Sequence, residues 1–137
     1  MSDIEWLRER EFRHAGHWSA PDAKLQRLAP IEAHTGIYAF VVDGTIVYIG
    51  KATRLRSRLR QYNRALGPAT PRGFRQVHCG LQDSWNGQVT IDVWIHRHDS
   101  AGALSPRHQE AAWITEKNPP WNNDLRRAAE ERPQDSP

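Results

Sequence analysis

Two tyrosines, a lysine and an arginine-rich helix crowd into one short stretch of this 137-residue chain. Gly36-Ile37-Tyr38 and Tyr48-Ile49-Gly50 flank an Asp43-Gly44 turn, and Lys51-Ala52-Thr53 follows at once. Two phenols, an amine and a helix N-terminus brought together in this way outline a site that handles phosphate. The alternative use of the tyrosines is as ordinary aromatics of a strand pair.

Their faces depend on hairpin register. A two-residue turn at Asp43-Gly44 pairs Val42 with Thr45 and sends Tyr38 and Tyr48 to opposite faces. A three-residue loop closed by Gly44 pairs Val41 with Thr45 and sets Tyr38 across from Tyr48. The second is preferred, because it gathers Ile37, Ala39, Val41, Thr45, Val47 and Ile49 on one face and Tyr38, Phe40, Ile46 and Tyr48 on the other.

Beyond the hairpin, Leu55, Leu59, Tyr62 and Leu66 recur at helical spacing, so residues 53–66 read as an amphipathic helix capped by Thr53 and ended by Gly67-Pro68. Arg58 emerges at the edge of its buried stripe, with Arg54, Arg56, Arg60 and Arg64 further round. From Gly44 to Gln82 there are eight Lys and Arg residues, Arg72 and Arg75 among them, and no Asp or Glu. The formal charge of +3 is thus a segment of +8 set against a remainder of −5. Segregated basic charge beside tyrosines points to a polyanion, most economically a nucleic-acid backbone.

Around this segment the chain reads as helices at 3–14 and 21–28, a helical stretch at 71–79, a strand at 89–96 whose Val89, Ile91, Val93 and Ile95 face a core, and a helix from Ser105-Pro106 to about Lys117 stopped by Pro119-Pro120. The fold class expected is an α/β (α+β) sandwich with a small, three-stranded, mostly antiparallel sheet flanked by helices. Its parts are a helical N-terminal extension over 1–34, a core over 35–123 and a tail over 124–137. Cys79 is alone, so neither a disulfide framework nor a cysteine zinc site is expected. The N-terminal residues Arg8, Glu9, Arg10 and Glu11 exclude a signal peptide, and no run is long enough to span a membrane; a cytoplasmic location is expected.

On the last helix, Glu110 precedes Trp113 and Ile114 by one turn, which sets its carboxylate beside the apolar face. It has two uses, holding a divalent cation or pairing with Arg107 at the surface. Asn122, twelve residues on, can fix a phosphate or brace a loop. His78, His96, His98 and His108 are possible helpers, and Trp85, Trp94, Trp113 and Trp121 can stack bases or pack the core.

Taken together, Gly36-Ile37-Tyr38, Tyr48-Ile49-Gly50, Arg58, Glu110 and Asn122, in this order and spacing, resemble the GIY-YIG nucleases. The likeness is greatest to the N-terminal nuclease domain of the bacterial excision-repair incision protein, through Gly50-Lys51-Ala52, Leu55, Arg58 and Tyr62. It covers residues 35–123. The resemblance implies a metal-dependent DNA endonuclease in which Glu110 ligates one Mg²⁺ or Mn²⁺ and Arg58 stabilises the scissile phosphate. Tyr38 or Tyr48, with a lean to Tyr38, orients or deprotonates the attacking water. Lys51 holds the phosphate or the tyrosinate, and Asn122 supports the site. Arg54, Arg56, Arg60, Arg64, Arg72 and Arg75 are the expected DNA contacts. RNA stays open as the substrate, a protein partner or homodimer as the source of specificity, and a non-catalytic nucleic-acid-binding module as the alternative function.

Overall fold

A computed structural model of the chain describes residues 1–67, 70, 71, 73, 75–99 and 104–122. The elements in order are α1 (Asp3–Glu9), β1 (Arg13–Trp18), β2 (Gln26–Arg27), β3 (Gly36–Val42), β4 (Thr45–Ala52), α2 (Leu55–Tyr62), α3 (Gln76–Asn86), β5 (Ile91–Arg97) and α4 (Pro106–Lys117), with 3₁₀ turns at Asn63–Ala65 and Pro120–Asn122. The strands form one antiparallel sheet of order β2-β1-β5-β3-β4. The sheet is larger than the three strands expected, since the segment before residue 35 supplies two strands as well as a helix. No helix extends over 21–28. The run Arg13-His14-Ala15-Gly16-His17-Trp18 is too polar to read as a strand by alternation, yet Ala15 and Trp18 are fully buried.

Both faces of the sheet are covered. On one, Tyr38, Phe40, Tyr48, Ile91, Val93 and Ile95 pack under Leu55, Leu59 and Tyr62 of α2 and Val77, Leu81 and Trp85 of α3. On the other, Ile37, Ala39, Val41, Ile46, Ile49 and Trp94 pack under Trp6 and Leu7 of α1 and Trp113 of α4. The strand at 91–97 therefore has two buried faces at its centre, not one. Among the described residues no helix is long and apolar enough to cross a membrane.

The hairpin departs from both registers considered. Its turn is the two-residue one, with Asp43 and Gly44 at φ of 51° and 76° and Val42 opposite Thr45. Left-handed conformations at both central residues match the twist of the flanking strands. The ladder then slips, so that Val41 faces Ile46 while Phe40 faces Tyr48. Val47 is the extra residue of a β-bulge. The bulge reverses the parity of the rest of β4, so Tyr48 shares a face with Phe40 and Tyr38 after all. Tyr38 lies opposite Gly50 and diagonal to Tyr48, with ring centroids 6.0 Å apart. Ile46 and Val47 exchange the faces expected for them.

Two helices are also displaced from the sequence reading. The strand β4 continues to Ala52, so α2 begins at Leu55 with Arg54 as a cap that makes no side-chain hydrogen bond. Thr53 does not cap it; its carbonyl instead accepts from the Thr35 hydroxyl at 3.0 Å. The third helix runs Gln76–Asn86 and not 71–79, because Val77, Leu81 and Trp85 form its buried stripe, and it ends at Gly87.

Candidate active site

The motif glycines are required by close approach. A β-carbon on Gly50 would lie 2.5 Å from the Tyr38 phenol oxygen, and one on Gly36 would meet the His96 carbonyl and the Leu55 side chain. Tyr38 thus lies flat across β4, which only glycine at position 50 allows. Its hydroxyl shares a 2.7 Å hydrogen bond with that of Tyr62, on the last turn of α2. Burial raises the Tyr38 phenol well above its ordinary value, with the neighbouring phenols Tyr62 and Tyr48 adding to the effect and Arg58 opposing it. Tyr62 is raised as well, mainly by burial, and it also engages Tyr48. The site therefore holds three phenols. In the sequence Tyr62 belonged to the buried stripe of α2 and to the resemblance, without a role at the site; the structure adds its hydroxyl to the cluster.

At the outer side of this group, the Arg75 guanidinium, just before α3, donates to the Tyr48 hydroxyl at 3.5 Å. Arg75 thus borders the phenol cluster directly. Glu110 reaches the same place from α4. Ser105 caps that helix by accepting from the His108 amide, and Trp113, wedged 5.8 Å from Trp6 and 5.2 Å from Phe12, fixes its rotation. An ion pair of 2.6 Å between Lys117 and Asp3, and a 2.6 Å bond from the Trp6 indole to Glu116, tie α4 to α1. The N-terminal helix thereby helps to hold the helix that carries Glu110.

The Glu110 carboxylate lies beside Lys51, at the end of Tyr48-Ile49-Gly50-Lys51, and near Arg75. Half-burial raises its pKa above the ordinary carboxylate value, while the Lys51 charge, the Lys51 backbone amide and the Arg75 charge pull it down. Among the described residues no ion pair joins it to Arg107. A desolvated carboxylate between two cations has one consequence for stability. Because its folded value is raised, the group's contribution is most favourable below the unfolded value and is lost as pH rises through the folded one. In chelator, Glu110→Gln is therefore expected to melt above wild type at neutral pH, with the gap closing as the pH falls toward 4; calorimetry across pH checks this, and equal melting temperatures at neutral pH would contradict it.

Asn122 holds the site from outside. Its Oδ1 accepts from the Ile49 N–H at 2.9 Å and its Nδ2 donates to the Ile49 carbonyl at 2.8 Å, satisfying both backbone groups of that residue on the outer strand. Trp121 lies against Gly80 of α3, where a β-carbon would collide with the indole. Of the two uses open to Asn122, bracing is the one observed.

Arg58 is exposed on α2, and with Arg54, Ser57 and Gln61 it lines an open pocket beside Ala52 and Thr53. Arg56 and Arg60 project to the other side of the helix, and Arg64 is exposed in the turn that follows. Arg72 and the 124–137 tail lie outside the described residues. Of the histidines, His78 packs against Tyr62, His96 is bound to the Arg10 carbonyl between Phe12 and Trp113, and His108 bonds the Ser105 cap. The His98 carbonyl accepts from His34. Trp85, Trp94 and Trp113 are buried, as core packing requires.

Sequence comparison bears on this arrangement directly. The family described as the UvrC-like GIY-YIG domain matches residues 34–78, the hairpin and α2 with their flanks. Over this stretch the chain is similar to that family. UvrABC system protein C of Arthrobacter sp. (strain FB24) is 29% identical over 103 residues, which is 74% of this chain and 14% of that protein. The same-named protein of Thermotoga petrophila is 52% identical over 50 residues, 36% of this chain and 8% of that protein. The chain thus spans a small part of these curated relatives. In three dimensions the fold is similar to that of a mutant of bacteriophage T4 EndoII, with a TM-score of 0.67 and 18% identity over 89% of this chain and 99% of that one. That likeness extends past the motif hairpin into the segment before residue 35.

Proposed function

We propose that this chain is a GIY-YIG-type, metal-dependent DNA endonuclease, hydrolysing phosphodiester bonds by tyrosine-assisted attack of water with a single divalent cation. The observation that carries the reading is the place of Glu110 beside Lys51, next to the Arg75–Tyr48 contact. The segregated +8 charge between Gly44 and Gln82 supports nucleic acid as the substrate.

Among the described residues no group of three or more His, Cys, Asp or Glu could enclose a metal. The donor set nevertheless fits Mg²⁺ or Mn²⁺. Magnesium keeps several waters and is often bound through one or two carboxylates plus substrate phosphate oxygens, and Glu110 is a hard, half-buried carboxylate of that kind. A bound cation would neutralise charge developing on the phosphate. With one carboxylate, the protein's own cations supply the rest of the positive field: Arg58 and Arg75 stabilise the phosphoryl oxygens, and Lys51 adds its charge beside Glu110.

Tyr48 is the better placed phenol to take the proton of the attacking water, since its hydroxyl meets the Arg75 guanidinium, where Glu110 also arrives. Tyr38, toward which the sequence leans, has its proton held by burial and by Tyr62. It acts behind Tyr48, fixing the ring cluster. Asn122 keeps the Ile49 backbone, and with it the phenol and the Glu110 seat on either side, in register.

Supercoiled plasmid incubated at low salt with the protein is expected to be nicked or linearised with Mg²⁺ or Mn²⁺ and to stay intact in chelator. Cleavage that persists in chelator would reject the metal. A mobility shift without cleavage under any condition would favour a binding module, and cleavage confined to RNA would change the substrate.

A further inference from the structure

A second concave surface lies on the other side of α2 from Arg58. It is lined by Lys24, Leu25 and Arg27 from the segment before residue 35, and by Arg56, Arg60 and Asn63 from α2 and the turn after it. All four cationic side chains are exposed. Among the described residues none of the four charged heads takes part in an ion pair or side-chain hydrogen bond, and no acidic residue lines the groove. Four like charges gathered without a counter-ion repel one another, a cost the fold carries with no internal compensation.

The groove has a fixed geometry. Asn63 accepts at its Oδ1 from the Trp18 indole at 2.8 Å and from the Leu25 amide at 3.0 Å, which fixes the plane of the amide and leaves its NH₂ donors without a protein acceptor at the groove. The Trp85 indole donates to the Asp22 carbonyl at 2.7 Å, anchoring the same segment to α3. Gly16 lets β2 lie close on β1, since a β-carbon there would come within 2.5 Å of the Gln26 carbonyl, and Gly16 faces Arg27 in the ladder. The N-terminal segment is thus built to deliver Lys24 and Arg27 opposite Arg56 and Arg60.

We infer that this groove is a second phosphate site, at which the segment before residue 35 grips the DNA backbone on the far side of α2 from the catalytic centre. The inference rests on the DNA reading above and assigns that segment a role in the substrate footprint. A helix is about 10 Å across, so the two sites engage phosphates several base pairs apart on one duplex or follow the two strands of a groove.

The test is DNA binding by fluorescence anisotropy in chelator, on short and long duplexes over a salt series, with wild type, Lys24→Ala/Arg27→Ala and Lys24→Glu/Arg27→Glu. All four changes fall on exposed side chains outside both cores. On the long duplex the alanine pair is expected to flatten the dependence of log K on log salt by roughly two, with affinity lowered on the order of tenfold or more at about 0.1 M salt, and the glutamate pair to lose more. On the shortest duplex the variants converge on wild type. An unchanged slope on the long duplex, with wild type still binding, overturns this site alone and leaves the nuclease reading intact. A slope change seen with RNA but not with duplex DNA overturns the DNA assignment. Failure of the wild type to bind DNA at all overturns both.

Discussion

Glu110→Ala protein is expected to lose metal-dependent plasmid cleavage by about a thousandfold or more while shifting the same DNA nearly as well as wild type. A metal acting on a phosphoryl group supplies several kcal/mol of transition-state stabilisation, and each 1.4 kcal/mol, roughly, is a factor of ten in rate. Among the described residues Glu110 is the acidic side chain at the Tyr48–Arg75 cluster, so its removal takes away the carboxylate that would hold the metal. Ground-state binding rests on arginines and lysines spread over the basic segment, and phosphate contacts dominate affinity. The experiment pairs plasmid nicking in Mg²⁺ and Mn²⁺ with a mobility shift in chelator. Mg²⁺-dependent cutting that survives in the variant would remove Glu110 as the ligand. A parallel loss of binding would show that the substitution damages more than the metal seat.

The second large effect separates the tyrosines. Tyr48→Phe removes the hydroxyl that meets Arg75 and is expected to lower kcat by about 10²–10⁴, the range of a general base. Tyr38→Phe removes a hydroxyl already engaged inside the protein with Tyr62, at a cost of about 1 kcal/mol in stability and a smaller loss of rate. Single-turnover cleavage at saturating enzyme, alongside thermal melts, distinguishes the two. Should Tyr38→Phe be the more damaging to rate with its melting temperature unchanged, the base would be Tyr38.

Much of the site was legible because its chemistry is local. Tyr38, Tyr48, Lys51 and Arg58 fall within 21 consecutive residues, and Ser105-Pro106 announces the start of the helix that carries Glu110. What escaped is non-local. Arg75 looked like one more cation in a basic run, and only the packing of α3 against the sheet turns it toward Tyr48. Tyr62 was hidden by its own amphipathic stripe, where a buried tyrosine and a buried leucine look alike. The strands β1 and β2 were missed because histidine and arginine carry little strand preference, and because β1, on which β2 pairs, is itself paired with β5, more than seventy residues later in the chain. The helical reading of 71–79 began too early because the arginine-bearing approach to α3 was read together with the helix itself.

The extra residue at Val47 carries a consequence for how such proteins tolerate changes in length. In a regular ladder the face of a residue is fixed by counting from the turn, and one insertion or deletion inverts everything beyond it. Here the count is absorbed between Ile46 and Tyr48. Remove the bulged residue, and Tyr48 still falls opposite Phe40, now in an uninterrupted ladder. Chain length between the two phenols is thereby uncoupled from their orientation, so the hairpin can lose a residue there over evolutionary time while both hydroxyls stay on the catalytic face.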